Sequence, residues 1–344
     1  MMPKFEIKKI INQLIGGLSD RSRDVILSRF GIGKSDYETL EAIGQRYGIT
    51  RERVRQIEAD ALKHIHSPAG ENLYRPIVVM LREFIKSRGG VMEEAALQAE
   101  FASAHFEAKP ETTQKYERAT MLFLNLDKSF SRSKEDDNFW PRWAVDSNSV
   151  KNQEGLASHL IASFKKTKKV TDLAGLIDWA GKYSAGLSQD IVMAYLSSAK
   201  VIAKNAFGEW GLIDWPEITP RGVKDKAYLI MKRQRQPLHF KEVAEAINKS
   251  AFSNRVALPQ TVHNELIKDS RFVLVGRGLY ALKDWGYEAG TVKDVIKSVL
   301  TSGGPMHRDA VIKAVLAKRL VKPSTIILNL NSFKKGSDNK YTSV

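Results

Sequence analysis

The chain has 344 residues, 43% of them hydrophobic, enough for about two or more domains with real cores. Its 54 Lys and Arg against 39 Asp and Glu leave a formal charge of +15 and a pI near 9.7, the balance of a protein that meets polyanions. With no cysteine there are no disulfides, thiolate nucleophiles or Cys-ligated zinc; no apolar run reaches the roughly 18 residues of a membrane span, and the N-terminus lacks a signal peptide's apolar segment, so the expected setting is the cytoplasm, at the nucleoid.

Phe5, Ile7, Ile10, Ile11, Leu14 and Ile15 predict a short amphipathic helix ending at Gly16-Gly17. Ser19 offers an N-cap for a helix from Asp20 to Phe30, with Val25, Ile26 and Leu27 inside and Gly31 as the stop. After a loop from Ile32 to Glu38, Thr39 caps a helix from Leu40 to Tyr47, which Gly48 closes. Thr50 then opens a helix running through Lys63. Its apolar stripe is Val54, Ile57, Ala61 and Ile65, while Arg51 with Arg55, and Glu52 with Gln56, share the opposite side four residues apart. A helix, a glycine-bearing turn and a second helix with a polar outward face form the helix-turn-helix pattern.

Thr39-Leu40-Glu41-Ala42-Ile43-Gly44 followed by Ile49-Thr50-Arg51-Glu52-Arg53-Val54-Arg55-Gln56-Ile57-Glu58, with Arg29-Phe30-Gly31-Ile32 upstream, resembles region 4 of the primary bacterial sigma factors over about residues 18 to 66. In that family region 4 reads the promoter's −35 element in the major groove and docks on the RNA polymerase β-flap. The resemblance implies base-edge roles for Arg51, Glu52 and Gln56, and places Arg53, Arg55 and the capped helix starts at Thr39 and Thr50 nearer phosphates. The chemistry is compatible: Arg pairs bidentately with guanine, Gln with adenine, and Glu accepts from cytosine. Asp60 stands where the family usually carries a basic residue, and its charge near the groove would repel phosphate. No segment resembles the aromatic-rich region 2 that melts promoters, so the chain is not expected to open a promoter alone.

The remainder is repetitive. An aromatic-small-apolar mark recurs as Trp143-Ala144-Val145, Trp210-Gly211-Leu212, Tyr280-Ala281-Leu282 and, more loosely, Tyr341-Thr342-Ser343, at spacings of 67, 70 and 61 residues. A second mark precedes it, as Gly89-Gly90-Val91-Met92, Pro237-Leu238-His239 and Gly303-Gly304-Pro305-Met306-His307. Within about Pro216 to Trp285, helices are predicted at Lys224 to Arg235, Phe240 to Asn248 and Pro259 to Asp269. Phe272 to Gly276 and Leu279 to Leu282 then make a hairpin about Arg277-Gly278. Three helices and a hairpin make a winged helix, and the run from Phe272 to Leu282 also resembles the HARE-type winged helix of the RNA polymerase delta subunit and restriction-associated proteins. The last unit repeats the plan, with helices at Val292 to Ser302, Arg308 to Lys318 and Ser324 to Asn331 and a wing from Phe333 to Val344.

The expected fold is therefore mainly α with small β-hairpin wings. Its divisions are a helix-turn-helix domain at 1–66, divergent winged-helix-like units at 67–150 and 151–216, a HARE-type winged helix at 217–290 and a final unit at 291–344. The last two carry most of the surplus charge, +5 and +7, whereas 67–150 has −2 and suits a protein surface or spacer. Arg271, Arg277, Lys334, Lys335 and Lys340 lie on or beside predicted wings, placed either to straddle phosphates or simply to keep exposed hairpins soluble. His239 and His307 recur at matching positions, which a shared helix start explains better than a metal or a general base. The recurring tryptophans fit core packing better than base stacking. No metal-ligand or catalytic constellation stands out among the seven histidines and the carboxylates, and no cofactor is expected.

These observations predict a non-enzymatic, sequence-specific binder of promoter-like double-stranded DNA that regulates transcription, associated with RNA polymerase through the β-flap. The alternatives are an adaptor that docks on polymerase without needing DNA, and the DNA-targeting component of a restriction or defence system.

Overall fold

The computed structural model describes residues 4–34, 36–107, 115–250, 252 and 255–343. Residue 35 of the predicted 32–38 loop and Val344 at the end of the last predicted wing lie outside them. The architecture is mainly helical with small antiparallel sheets, and the chain divides into two compact units, Met1–Ala203 and Lys204–Val344.

The first unit opens with α1 (Ile7–Ile15), whose Ile7, Ile11, Leu14 and Ile15 fall on one buried stripe. Helix α2 (Asp20–Phe30) is capped by Ser19, which accepts from Ser22 N–H, and stops at Gly31 in the left-handed region, φ +62°. Helix α3 (Leu40–Tyr47) is capped by Thr39 and closed by left-handed Gly48, and α4 (Arg51–Ile65) is capped by Thr50. Each boundary follows from a side-chain acceptor at one end and a residue that cannot prolong the helix at the other. Helix α5 (Pro68–Ser87), β1 (Val91–Glu93), α6 (Glu94–His105), α7 (Ala119–Leu126), β2 (Ser131–Ser133) and β3 (Arg142–Ala144) follow, the strands pairing antiparallel in the order β1-β3-β2. One continuous core runs from Ile7 and Ile11 through Ile26, Ala61 and Ile65 to Ile77, Leu81, Phe101, Phe123 and Trp143, so residues on both sides of position 66 pack as one body. The unit continues with α8 (Ser147–Thr167), α9 (Leu173–Tyr183), α10 (Gln189–Ser197) and β4 (Ile202–Lys204), within which the division between units falls.

After β5 (Trp210–Leu212), the second unit carries the same plan twice. Helix α11 (Val223–Gln234), β6 (Leu238–His239), α12 (Phe240–Lys249), α13 (Pro259–Lys268), β7 (Phe272–Gly276) and β8 (Leu279–Leu282) form a helical core with a sheet ordered β6-β8-β7. Helix α14 (Val292–Gly303), β9 (Met306–His307), α15 (Arg308–Lys318), α16 (Pro323–Leu330), β10 (Lys334–Lys335) and β11 (Lys340–Thr342) repeat it, with the sheet ordered β10-β11-β9.

The two recurring sequence marks turn out to be cross-strand partners. Trp143 lies opposite Met92, Tyr280 opposite Leu238, and Tyr341 opposite Met306. In each sheet an aromatic on the hairpin pairs with an apolar residue on the short first strand, closing the helical core. This is why both marks recur in one order although some fifty residues or fewer separate them. No described helix is long and apolar enough to cross a membrane, and among the described residues no group of three or more His, Cys, Asp or Glu is placed to hold a metal ion.

Candidate nucleic-acid interface

Helix α4 is fixed from behind. Val54, Val25 and Ile43 form a small fully buried cluster, with Leu40, Tyr47, Ile49 and Ile57 packed around it, while Ala61 and Ile65 enter the main core. Arg29 on α2 pairs with half-buried Glu58 on α4 at 3.4 Å; burial raises the Glu58 carboxyl above its usual range, against the pull of Arg29. Gly44 sits where α3 meets the turn: a Cβ there would lie 2.7 Å from the Ile49 carbonyl oxygen, so the close approach of the two helices depends on a missing side chain.

A polar network holds α2, α3 and the loop between them. Asp24 accepts from Tyr47 Oη at 2.8 Å and Lys34 Nζ at 3.1 Å and pairs with Arg46 Nη2 at 2.7 Å, while Arg46 Nε donates to Glu38 at 3.1 Å. Burial pushes the Asp24 carboxyl up, but the hydrogen bonds from Tyr47, Arg46 and Lys34 outweigh it and hold the group at about 2. The guanidinium groups of Arg21 and Arg46 both lie over the Tyr47 ring, at 5.0 and 4.8 Å. None of these partners was singled out from the sequence: Asp24, Lys34 and Arg46 are spaced by no helical period, so no local signal marks them.

Arg51, Glu52, Arg53, Arg55 and Gln56 are all exposed on the outward side of α4. Arg55 donates to the Glu52 carboxylate through Nε at 2.9 Å and Nη2 at 2.7 Å, and Arg53 Nη1 donates to Gln56 Oε1 at 3.0 Å. The hydrogen bonds from Arg55 hold the Glu52 carboxyl below its usual range, and Glu52 in turn raises Arg55. Among the described residues the Arg51 side chain has no hydrogen-bond or ion-pair partner. The resulting face offers one free guanidinium and two preformed donor–acceptor pairs, whose pairing with one another must be exchanged for pairing with a ligand. Thr39 and Thr50 use their hydroxyl oxygens to accept from Ala42 and Arg53 N–H, at 3.1 and 3.2 Å, and both are exposed, so each retains a hydroxyl proton to donate. Asp60 is also exposed on this helix.

The residues expected at the wings are less uniform. Arg271 is not free for phosphate: its Nη2 lies 2.6 Å from Asp269 and 2.9 Å from Asp225, its guanidinium lies 5.0 Å over the Tyr228 ring, and Asp269 raises its pKa. It joins α11 to the start of β7, a role invisible in the sequence because Asp225 lies 46 positions away. Arg277 is exposed at the β7–β8 turn, beside left-handed Gly278, whose bare α-carbon leaves room for the His239 ring. His239 caps α12, accepting from Lys241 N–H while its own N–H is taken by Glu242, which accounts for its recurrence without a metal. Lys334 and Lys335 are exposed, and Lys340 is partly exposed, 3.4 Å from Asp338. Trp143 and Trp210 are buried, and Trp143 donates from Nε1 to Glu94 at 2.9 Å, as core residues should; Trp140 is exposed beneath Lys200.

Residues 14–66 match the family Sigma-70, region 4, and residues 221–285 match HARE-HTH, the ASXL and restriction endonuclease HTH domain. The chain is similar to the RNA polymerase sigma factor SigA of Nostoc sp. (strain PCC 7120), 42% identical over 62 residues, which cover 18% of this chain and 16% of that protein. It is likewise similar to the RNA polymerase sigma-C factor of the same strain, 39% identical over 75 residues (22% and 18%), and to the RNA polymerase sigma factor RpoS of Coxiella burnetii (strain RSA 493 / Nine Mile phase I), 38% identical over 65 residues (19% and 18%). The chain thus spans less than a fifth of the length of each of these curated relatives. Two separate segments are of helix-turn-helix type, and the segment shared with sigma factors is the one that holds α4.

Proposed function

We propose that this chain is a sequence-reading, double-stranded DNA-binding regulator of transcription, non-enzymatic, that works with RNA polymerase and does not open promoters by itself. One observation carries the reading. The outward face of α4 presents Arg51, Glu52, Arg53, Arg55 and Gln56 together, on a capped helix backed by a buried core, within the segment that matches Sigma-70, region 4. In this reading α4 enters the major groove, Arg51, Glu52 and Gln56 meet base edges, and Arg53, Arg55, Thr39 and Thr50 meet phosphates.

The test is duplex binding by the full chain, wild type against Arg51→Ala and Gln56→Ala, across a salt series and a set of point-altered duplexes. Each substitution is expected to weaken the preferred duplex by about 10- to 100-fold and to flatten discrimination at one base pair. Unaltered affinity and preference in both variants would overturn the assignment.

A packing observation bears on the adaptor alternative. Ile26, Ile32, Ala61 and Ile65 of the helix-turn-helix segment are buried in one core with α1 and α5, and among the described residues up to 66 the exposed large hydrophobic side chain is Tyr37. A β-flap partner would meet polar surface there rather than an open apolar groove, which favours DNA as the principal ligand of this segment. The defence-system alternative draws on the match at 221–285, and a nuclease or methyltransferase encoded beside this chain would favour it.

A further inference from the structure

Two of the three three-stranded sheets have both faces buried. In β1-β3-β2, Met92 and Trp143 face the main core, while Val91, Arg142 and Ala144 on the other side are also buried. That second side is covered by the chain that follows. Arg142 Nη2 donates to Glu154 on α8, Tyr195 Oη on α10 donates to the Gly89 carbonyl at 2.7 Å, and a Cβ on Gly89 would meet Tyr195 and Ile191. In β6-β8-β7, Phe272, Tyr280 and Leu282 face the helices, while Val273, Val275 and Ala281 are buried with Trp285 and Tyr287 around them. The succeeding repeat closes that side too: a Cβ on Gly276 would lie 3.2 Å from the Leu320 carbonyl oxygen, and the connecting segment is tied down by Glu288 on Lys318 and by Arg319 on the Gly290 carbonyl. A hairpin covered on both faces serves as a joint between successive repeats and cannot lie flat along a phosphate backbone.

The last sheet, β10-β11-β9, is different. Tyr341 and Met306 lie opposite one another and pack on the repeat's core. The alternate positions face outward: Lys340 lies opposite His307, and Lys334 opposite Thr342. Lys334 and His307 are exposed, and Lys340 and Thr342 partly so; Lys335, beside them, is exposed as well. Lys334 and Lys340 are diagonal neighbours on this face, about 7–8 Å apart by strand geometry, close enough to engage adjacent phosphates. A nearby carboxylate, Asp338, forms an exposed pair with Lys340 of the kind that exchanges readily for another anion.

We propose that this outer face is a second nucleic-acid contact, a sequence-independent clamp on the phosphate backbone formed by Lys334, Lys340 and His307 with Lys335 at its edge. It stands apart from the groove-reading role of α4 and does not depend on it. Duplex DNA fits better than an acidic protein because the face offers cations and hydroxyl or imidazole donors but no large apolar anchor, and protein partners draw their affinity from buried aromatic and apolar anchors.

The experiment measures binding of the full chain to a short duplex of arbitrary sequence over about 50–200 mM salt. Each phosphate contact contributes about 0.9 to the slope of log K against log salt, so Lys334→Ala with Lys340→Ala is expected to flatten it by about 1.8. Affinity should fall by at least tenfold at the low-salt end, equally on unrelated duplexes. Arg277→Ala, at the tip of a covered hairpin, should leave the slope unaltered. An unchanged slope in the double variant overturns the proposal, as does loss of polyglutamate binding with duplex binding intact, which would assign the face to an acidic protein. Because the duplex carries no preferred site, a failure of the groove-reading role appears in Arg51→Ala on matched duplexes and leaves this measurement untouched.

Discussion

Substituting Gly44 by alanine tests whether the close approach of α3 and α4 depends on the missing side chain. A helical Gly-to-Ala change ordinarily stabilises by about 1 kcal/mol, because alanine loses less backbone entropy on folding. At Gly44 the new methyl would lie 2.7 Å from the Ile49 oxygen and 3.5 Å from Arg51 N, about 0.7 Å inside an ordinary contact of 3.4 Å. The obstacle is backbone of the turn that sets α4, so no flexible side chain can swing away. Overpacking of this kind costs about 1–3 kcal/mol, and the sum is a loss of up to about 2 kcal/mol. Gly181, in α9, supplies the control: it is exposed, with nothing within 4 Å of its would-be Cβ, and Gly181→Ala should gain about 0.5–1 kcal/mol. At about 2–4 °C per kcal/mol, calorimetry should show Gly44→Ala melting lower by several degrees and Gly181→Ala melting higher by about 2 °C. Gly44→Ala should also blunt duplex discrimination, since α4 moves with the turn. Equal stabilisation by both substitutions would refute the argument that the turn excludes a side chain.

Other expectations follow from single contacts. The Asp24 carboxyl, at about 2 in the folded protein against an ordinary value of 3.8, stabilises the fold fully above about pH 4, and that contribution is lost as pH falls toward 2. Asp24→Asn should therefore be less stable at pH 7, the deficit closing between about pH 4 and pH 2 in urea titrations. The maximum of about 2.4 kcal/mol reduces to about 1 kcal/mol once solvent screening at this partly exposed group is allowed for. A deficit that persists below pH 2 would assign the loss to packing instead of charge. Arg271→Ala should lower the melting temperature, since Asp225 and Asp269 lose their common partner, yet leave the salt slope of duplex binding unchanged; a flatter slope would restore Arg271 to the phosphate contacts. Glu52→Gln releases Arg55, so the salt slope should steepen by about 0.9 while discrimination at the base pair read by Glu52 falls; a slope equal to wild type would show Arg55 does not reach phosphate.

The helix-turn-helix was legible in the sequence because its signals are local. Ser19, Thr39 and Thr50 cap helices whose first free N–H groups lie three residues on, and Gly31 and Gly48 end them by adopting a left-handed conformation at little cost. The 3.6-residue period likewise placed Val54, Ala61 and Ile65 in the core and left Arg51, Glu52 and Gln56 outside. The repeats were visible for a related reason: each needs an aromatic opposite the same short strand, so Met92 and Trp143, Leu238 and Tyr280, and Met306 and Tyr341 recur in order.

Tertiary structure alone decided the rest. Period-two alternation says which residues share a sheet face but not whether a later segment covers that face, so β7–β8 and β10–β11 read alike in sequence although one is enclosed and the other open. The partners of Arg271 and Asp24 were equally hidden, because an ion pair is fixed by distance in space and leaves no periodic trace along the chain. Sequence determined the helices, their exposed faces and the order of the repeats; packing determined which basic residues are spent within the fold and which remain for a polyanion, because a guanidinium already held by two carboxylates has little left to offer a phosphate.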